Sequence, residues 1–143
     1  MKEIGLHIMD IVQNSVRAGA AEISITLNES IAGDTLTLTV ADDGKGMDEE
    51  ACHRATDPWF TSRTTRRVGL GLPLLQMNAG LSGGGMTIDS VPGKGTTVTA
   101  IFVYSHVDRP PLGDVSGTIA LLILSNPGIN IIYNHLCDGK AWS

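Results

Sequence analysis

The sequence has few cysteines, no long hydrophobic run and no excess of positive charge. Its two cysteines, Cys52 and Cys137, are far apart along the chain, so they offer neither a disulfide framework nor a metal-binding pair. The longest apolar run, Ile119 to Leu124, is too short to cross a bilayer, and the first residues show no basic-then-apolar leader. These absences favour a cytoplasmic protein without a membrane segment.

The charge balance is acidic, with 10 lysines and arginines against 15 aspartates and glutamates and a formal net charge of −5. A nucleic-acid surface needs clustered positive charge, so this balance argues against nucleic acid as a partner. The exception is local, because Arg63, Arg66 and Arg67 crowd into one short stretch. Such a cluster fits a compact anion better than a long polymer.

The first 104 residues show the periodicities of a helix-and-sheet sandwich. Apolar residues at helical spacing near the start, for example Ile4, Ile8 and Ile11, predict a helix that closes at Arg17 to Gly19. Strict alternation of apolar residues with Thr or Ser predicts paired antiparallel strands after it. The predicted elements are that first helix, strands around 23–27 and 36–40, a helix over 70–81, and strands over 86–90 and 96–104.

Two segments lack this regularity. Residues 48–68 carry acids, arginines and Asp57-Pro58, which favours a short helix followed by a mobile loop. Residues 105–143 read as a separate C-terminal appendage: a linker, a helix through Leu124 capped by Asp114 or Ser116, and a strand around 129–133. Because only four residues follow the hairpin signal Asp138-Gly139, we expect the native polypeptide to continue past the last residue.

The first helix carries a candidate site at Asp10 and Asn14, which share one helix face because they are four residues apart. An asparagine amide offers an oxygen to a hard cation, and a carboxylate one turn away can polarise water or a hydroxyl. On their own, both residues are better explained as solvated side chains, and the pair indicates a site only in company with the other motifs. Arg17 lies near the same face, where it serves either as a phosphate contact or as a cation favoured by the helix C-terminus.

A second candidate site is Asp42-x-Gly44-x-Gly46, directly after a predicted strand. The Asp42 carboxylate accepts hydrogen bonds, so it suits the exocyclic amine of adenine and opposes the carbonyl of guanine. The two glycines permit positive φ and let a base lie against bare backbone. An ordinary polar turn is the alternative for this short motif in isolation.

A third candidate is Gly69-x-Gly71 at the start of the second long helix, where free backbone amides and the helix dipole attract phosphate. Simple helix packing explains the same glycines equally well. The hydroxyl and guanidinium groups of residues 61–67 come just before it, as in a closing phosphate lid. The four histidines show no metal-binding spacing and are interpreted as structural or exposed: His7, His53, His106 and His135.

Taken together and in this order, these motifs resemble the GHKL superfamily of ATPases and kinases, which includes DNA gyrase, heat-shock chaperones, histidine kinases and MutL mismatch-repair proteins. The resemblance covers about residues 3 to 104 and favours the histidine kinase and anti-sigma factor branch. The matching segments are Asp10–Asn14 for the N box, Val40–Met47 for the G1 box, Asp57–Ser62 for the F box, Gly69–Leu72 for the G2 box, and Gly93–Thr97 for a late Gly-Thr element.

The resemblance implies a Bergerat fold: an α+β two-layer sandwich with a mixed, mostly antiparallel sheet and helices on one face. It implies ATP and Mg²⁺ as cofactors, with Asn14 binding the metal, Asp10 as general base, and Asp42 on adenine supported by Thr97. The other residues that it assigns to nucleotide binding are Arg17, Gly44, Gly46, Met47, Phe60, Thr61, Ser62, Arg63, Gly69, Leu70, Gly71 and Leu72.

Hydrolytic members of the superfamily usually carry glutamate where this chain has the shorter Asp10, which argues against efficient hydrolysis. The sequence also shows no helical hairpin with a phosphoacceptor histidine before the first helix. We therefore expect residues 1–104 to be an ATP-binding domain that phosphorylates or regulates a separate protein partner. The alternatives are a nucleotide-gated binding module with little turnover and a degenerate domain that binds no nucleotide; a homodimer is also compatible with the sequence.

Overall fold

The computed structural model describes residues 4–48, 50, 71–106, 109, 112–137 and 140–142. The long helices within these ranges are α1 (Ile4–Arg17), α2 (Gly71–Leu81) and α3 (Val115–Ser125). Its strands are β1 (Glu22–Ser30), β2 (Thr35–Asp42), β3 (Gly85–Val91), β4 (Gly95–Val103), β5 (Asn130–Cys137) and β6 (Lys140–Trp142).

The strands form one sheet in the order β3-β4-β2-β1-β5-β6. Every neighbouring pair is antiparallel except β1 and β5, which run parallel. Strand alternation places the apolar side chains of β1, β2 and β4 on one face of this sheet, and the helices cover that face. The predicted α+β two-layer sandwich with a mixed, mostly antiparallel sheet is therefore confirmed.

Helix α1 is amphipathic, and its apolar stripe of Ile4, Ile8, Ile11 and Val12 is fully buried. The helix ends where Gly19 adopts a positive φ of 78°. The Gly19 amide donates to the Val16 carbonyl at 3.0 Å and the Ala20 amide to the Ser15 carbonyl at 3.2 Å, which is a Schellman termination. This stop turns the chain into β1 and fixes the last turn of α1 beside the end of β2.

The sequence suggested that the C-terminal segment is a separate appendage, but the structure shows that it is part of the fold. Its helix and strand form where they were predicted, and Asp114 caps α3 by accepting a 3.0 Å hydrogen bond from the Gly117 amide. However, β5 pairs with β1 along its whole length, and α3 packs on α1. A strand's pairing partner is not encoded in its own local pattern, which is why this integration was missed.

Two further expectations from the sequence concern the segment before α2 and the possibility of a membrane span. The short helix and mobile loop predicted for residues 48–68 lie almost entirely outside the described residues. Among the helices that the structure describes, none has both the length and the apolar character needed to cross a bilayer.

The packing of α3 yields a test of its integration into the core. Leu122 is 4% exposed and belongs to the core cluster, whereas Leu124 on the same helix is 79% exposed. Leu122→Ala is expected to lower the free energy of unfolding by about 2–4 kcal/mol, because it leaves a cavity between α3 and its neighbours. Leu124→Ala is the matched control and should change it by less than about 0.5 kcal/mol in urea denaturation. Equally small losses in both variants would show that α3 is not packed on the core.

Candidate functional site

A cavity of about 260 Å³ lies among the predicted motifs, on the helical face of the sheet. Four elements meet there: the last two turns of α1, the end of β2 with the loop after it, the start of α2 and the start of β4. The lining residues are Ile11, Asn14, Ser15, Arg17, Ala18, Asp42, Lys45, Gly46, Met47, Leu72, Thr96 and Val98. Residues from the first two candidate motifs thus share one cavity with Leu72, which directly follows the third.

Helix α1 supplies the polar wall of the cavity through Asn14 and Arg17. The Arg17 Nη1 donates to the Asn14 Oδ1 at 3.3 Å, so the guanidinium restrains the amide. That oxygen has two lone pairs and keeps capacity for a second donor or a cation. Asp10 lies one turn earlier on α1, is half-buried, and is not among the residues that line the cavity.

Asp42 ends β2, and both of its carboxylate oxygens are held. Oδ1 accepts a 2.9 Å hydrogen bond from the Gly44 amide, and Oδ2 accepts a 2.6 Å hydrogen bond from the Ser15 hydroxyl. Two partners on opposite oxygens fix the plane of the carboxylate, which still has lone pairs for a ligand. The wall of the cavity therefore presents an oriented hydrogen-bond acceptor.

Ser15 is not among the residues that the sequence motifs single out, although its position on α1 carries a signal. Ser15 continues the buried stripe of α1, four residues after Ile11, and is only 4% exposed. Buried polar groups in folded proteins are nearly always hydrogen-bonded, so a serine on an apolar stripe implies a specific partner. The partner, Asp42, belongs to a strand 27 residues away, which the local pattern of α1 cannot reveal.

The glycine loop after β2 is locked onto the end of α1. A Cβ on Gly44 would lie 2.8 Å from the Ala18 Cβ and 2.9 Å from the Ala18 carbonyl oxygen, so only glycine fits. The Lys45 amide donates to the same Ala18 carbonyl at 2.9 Å. Gly46 has a φ of 70°, and a Cβ there would collide with the Val91 carbonyl. Both glycines are thus required by close backbone approach, whatever binds in the cavity.

One predicted site residue is corrected by the strand register. Thr97 was assigned to support Asp42, but Thr96 is the direct Cα partner of Asp42 and lines the cavity. Successive strand side chains point to opposite faces, so Thr97 lies on the face away from the helices. The Ser90 Oγ hydrogen-bonds with the Thr96 Oγ1 at 2.7 Å and accepts from the Met47 amide at 2.7 Å. Thr96 therefore belongs to the network that holds the loop residue Met47 in the wall.

The third motif is described in part. Gly71 is the first residue of α2, and Leu72, which is 6% exposed, lines the cavity. The predicted site residues Phe60, Thr61, Ser62, Arg63, Gly69 and Leu70 lie outside the described residues. Of the histidines, His7 is buried and its Nε2 lies 2.8 Å from the Asn78 Nδ2, whereas the His135 Nε2 lies 2.6 Å from the Glu29 Oε2.

Asp43, next to the site, has a structural role. Its Oδ1 accepts hydrogen bonds from the backbone amides of Glu22 at 2.9 Å and Ala21 at 2.8 Å. The bond from the Glu22 amide has the larger effect and the bond from the Ala21 amide the smaller one. Both lower the pKa of the Asp43 carboxyl below its ordinary value of 3.8. Asp43 thereby ties the loop to the start of β1, while Asp42 faces the cavity.

The cavity and a match to known proteins together identify the family of this chain. A cavity that several elements line with a few convergent polar groups is the default candidate for a ligand site. The family model of histidine kinase-, DNA gyrase B- and HSP90-like ATPases matches residues 2–106. The chain belongs to this family, so the GHKL resemblance is confirmed.

Relatives place the chain near signalling proteins. It is 34% identical over 94 residues to the sensor protein kinase FleS of Pseudomonas aeruginosa, a match that covers 66% of this chain and 23% of that protein. It is 31% identical over 103 residues to a putative sensor protein of Shewanella frigidimarina, covering 71% of this chain and 16% of that protein. It is 35% identical over 75 residues to the anti-sigma F factor of Thermoanaerobacter pseudethanolicus, covering 52% of this chain and 48% of that protein. The chain thus spans less than a quarter of the two sensor proteins.

Solved structures confirm the fold. The MutL ATPase domain of Aquifex aeolicus complexed with ADP has a TM-score of 0.57 and 13% identity, covering all of this chain and 63% of that one. The N-terminal domain of a DNA repair protein has a TM-score of 0.64 and 16% identity, covering 99% of this chain and 51% of that one. Both alignments include the C-terminal segment with α3 and β5, which agrees with its place in the sheet.

The lowered pKa of Asp43 predicts a pH dependence of stability. Since the folded-state pKa lies below 3.8, the unfolded chain binds more protons at this carboxyl on acidification. The stabilisation is therefore complete above about pH 5 and is lost as the pH falls through the folded-state pKa. Asp43→Asn cannot ionise, so it should flatten the rise of unfolding free energy with pH between about pH 3 and pH 5. Urea unfolding across that range checks this, and identical slopes in both proteins would contradict it.

Proposed function

We propose that this chain binds ATP with Mg²⁺ in the cavity and uses it to phosphorylate or regulate a partner protein in the cytoplasm. The observation that carries the proposal is that Asp42 and Asn14 line one cavity. One residue suits a purine amine and the other a metal-bound phosphate, so a single nucleotide would engage both.

The base would bind at Asp42. Its carboxylate is oriented by Ser15 and Gly44 and accepts hydrogen bonds only, which matches the 6-amino group of adenine. The carbonyl oxygen of guanine at that position would face the acceptor without a proton between them. Val98 and Leu72 add apolar contact area for the flat base.

The phosphates and the metal would lie toward Asn14. Mg²⁺ is usually held by one or two protein oxygens together with substrate phosphates and waters, and the amide oxygen of Asn14 fits that pattern. Arg17 and Lys45 also line the cavity and supply positive charge, while α2 begins at its edge. The bound ion would neutralise phosphate charge, and Asp10, one turn along α1, is proposed as the general base.

The motifs that precede α2 are proposed as a lid on the phosphates. Residues Phe60, Thr61, Ser62 and Arg63 with Gly69 and Leu70 would supply hydroxyl, guanidinium and backbone contacts, as the family resemblance implies. A kinase and a nucleotide-gated binding module share this geometry, so they differ only in whether phosphate is transferred. Similarity to a sensor kinase and to an anti-sigma factor supports either outcome.

Calorimetry tests the binding. ATP with Mg²⁺ is expected to bind at least about a hundredfold more tightly than GTP, because the carboxylate opposes the guanine carbonyl. Asp42→Asn replaces an acceptor with a donor and should weaken ATP binding by at least about a hundredfold. Asp43→Asn is the matched control, because Asp43 hydrogen-bonds to β1 and not to the cavity, and its affinity should stay within about twofold of the wild type. Equal affinity for GTP and ATP, or an unaffected Asp42→Asn variant, would refute the pocket.

Phosphate transfer separates a kinase from a gate. With γ-labelled ATP and candidate acceptor proteins, Asp10→Asn should lower transfer about a hundredfold or more while ATP affinity stays within about twofold. Asp89→Asn, an exposed substitution in β3, should change neither quantity. Tight ATP binding without label on any acceptor would favour the gated module. Full transfer by Asp10→Asn would contradict its role as general base.

A further inference from the structure

Ser15 is the one polar side chain of the buried stripe on α1 that also lines the cavity. Its hydroxyl has a single proton and two acceptors within reach: the Asp42 Oδ2 at 2.6 Å and the Ile11 carbonyl at 3.4 Å. The distance to the carboxylate is in the range of strong hydrogen bonds to charged acceptors, and the distance to the carbonyl is at the limit for any hydrogen bond. The proton therefore goes to Asp42.

We infer that Ser15 is a positioning residue for base recognition, setting through Asp42 the preference for a 6-aminopurine; this inference rests on the proposed function. The Gly44 amide holds only Oδ1, so without the Ser15 hydroxyl the carboxylate can rotate about its Cβ–Cγ bond. Rotation would move the free lone pairs away from the direction in which a base amine approaches. Fixed orientation of an acceptor is what converts a carboxylate into a selective contact.

Ser15 lies beside the residue that is proposed to bind the metal at the other end of the ligand. Ser15 follows Asn14 directly, so one turn of α1 carries the base-positioning hydroxyl and the proposed metal-binding amide. A helix turn is rigid, because its backbone is fixed by i to i+4 hydrogen bonds. The spacing between base contact and metal contact is therefore set by α1 itself. Because Ser15 is only 4% exposed, water has little access to its hydroxyl and does not readily replace Asp42 as the acceptor.

The test compares ATP with purine riboside triphosphate, which lacks the 6-amino group. Ser15→Ala should weaken binding of Mg²⁺-ATP about tenfold and change binding of the purine riboside analogue less than about twofold. Ser15→Thr retains the hydroxyl and should restore the ATP preference. Ser82→Ala removes another buried serine, directly after α2, whose hydroxyl donates to the carbonyls of Asn78 and Ala79 on that helix, and should leave the preference intact. Circular dichroism and urea midpoints confirm folding, and Ser15→Cys provides a second near-isosteric variant.

The outcomes separate this inference from the proposed function. A wild-type protein that binds no ATP overturns the proposed function and the role of Ser15 with it. A wild-type protein that binds ATP, with Ser15→Ala weakening both nucleotides by the same factor, overturns only the positioning role and leaves Ser15 structural. Unchanged affinity for both nucleotides in Ser15→Ala likewise overturns it.

Discussion

The candidate site depends on the hydrogen bond from Ser15 to Asp42. It joins the last turns of α1 to the end of β2 at 2.6 Å, and its donor, the Ser15 side chain, is buried. Without it, the carboxylate would keep one partner, the Gly44 amide, and a buried serine would lack its short contact. In the proposed function, the selectivity of the carboxylate for a base amine follows from this contact, because the contact fixes the orientation of the acceptor.

The fold delivers that contact in a short series of steps. Apolar spacing buries one stripe of α1 on the sheet, and the glycine stop at Gly19 ends the helix beside the carboxyl end of β2. The loop after β2 then closes onto Ala18, where Gly44 has no room for a side chain. Antiparallel pairing of β2 with β4 brings Thr96 directly beside Asp42. Helix α1, the loop after β2 and the strands β2 and β4 are therefore joined by direct contacts along one wall of the cavity.

Much of this was predictable from the sequence, because period and spacing are local properties. Strands β1 to β5, the helices α1 and α2, and the sandwich class followed from alternation and helical spacing, and Asp114 was one of the two caps expected for α3. The three-residue return strand β6 was not predicted, because so few residues follow the turn at 138–139. What failed depended on pairing. Thr97 was predicted to support Asp42, whereas the register places Thr96 beside Asp42. Strand side chains alternate between the two faces of the sheet, so an error of one residue moves the side chain to the opposite face. The parallel pairing of β5 with β1 could not be predicted, because the alternation within β5 does not indicate which strand it pairs with.

The central claim is that one nucleotide engages Asn14 and Asp42 together in one cavity. Nuclear magnetic resonance with Mn²⁺ in place of Mg²⁺ tests it most directly, because a paramagnetic ion broadens signals of nearby nuclei. In ¹⁵N-labelled protein, Mn²⁺ with ATP should broaden the Asn14 side-chain amide, and the Gly44 and Gly46 amides should shift at the same ATP concentration. Mn²⁺ alone should do neither. Broadening that is strongest at residues far from Asn14, or an Asn14 signal untouched by Mn²⁺ with saturating ATP, would contradict the account.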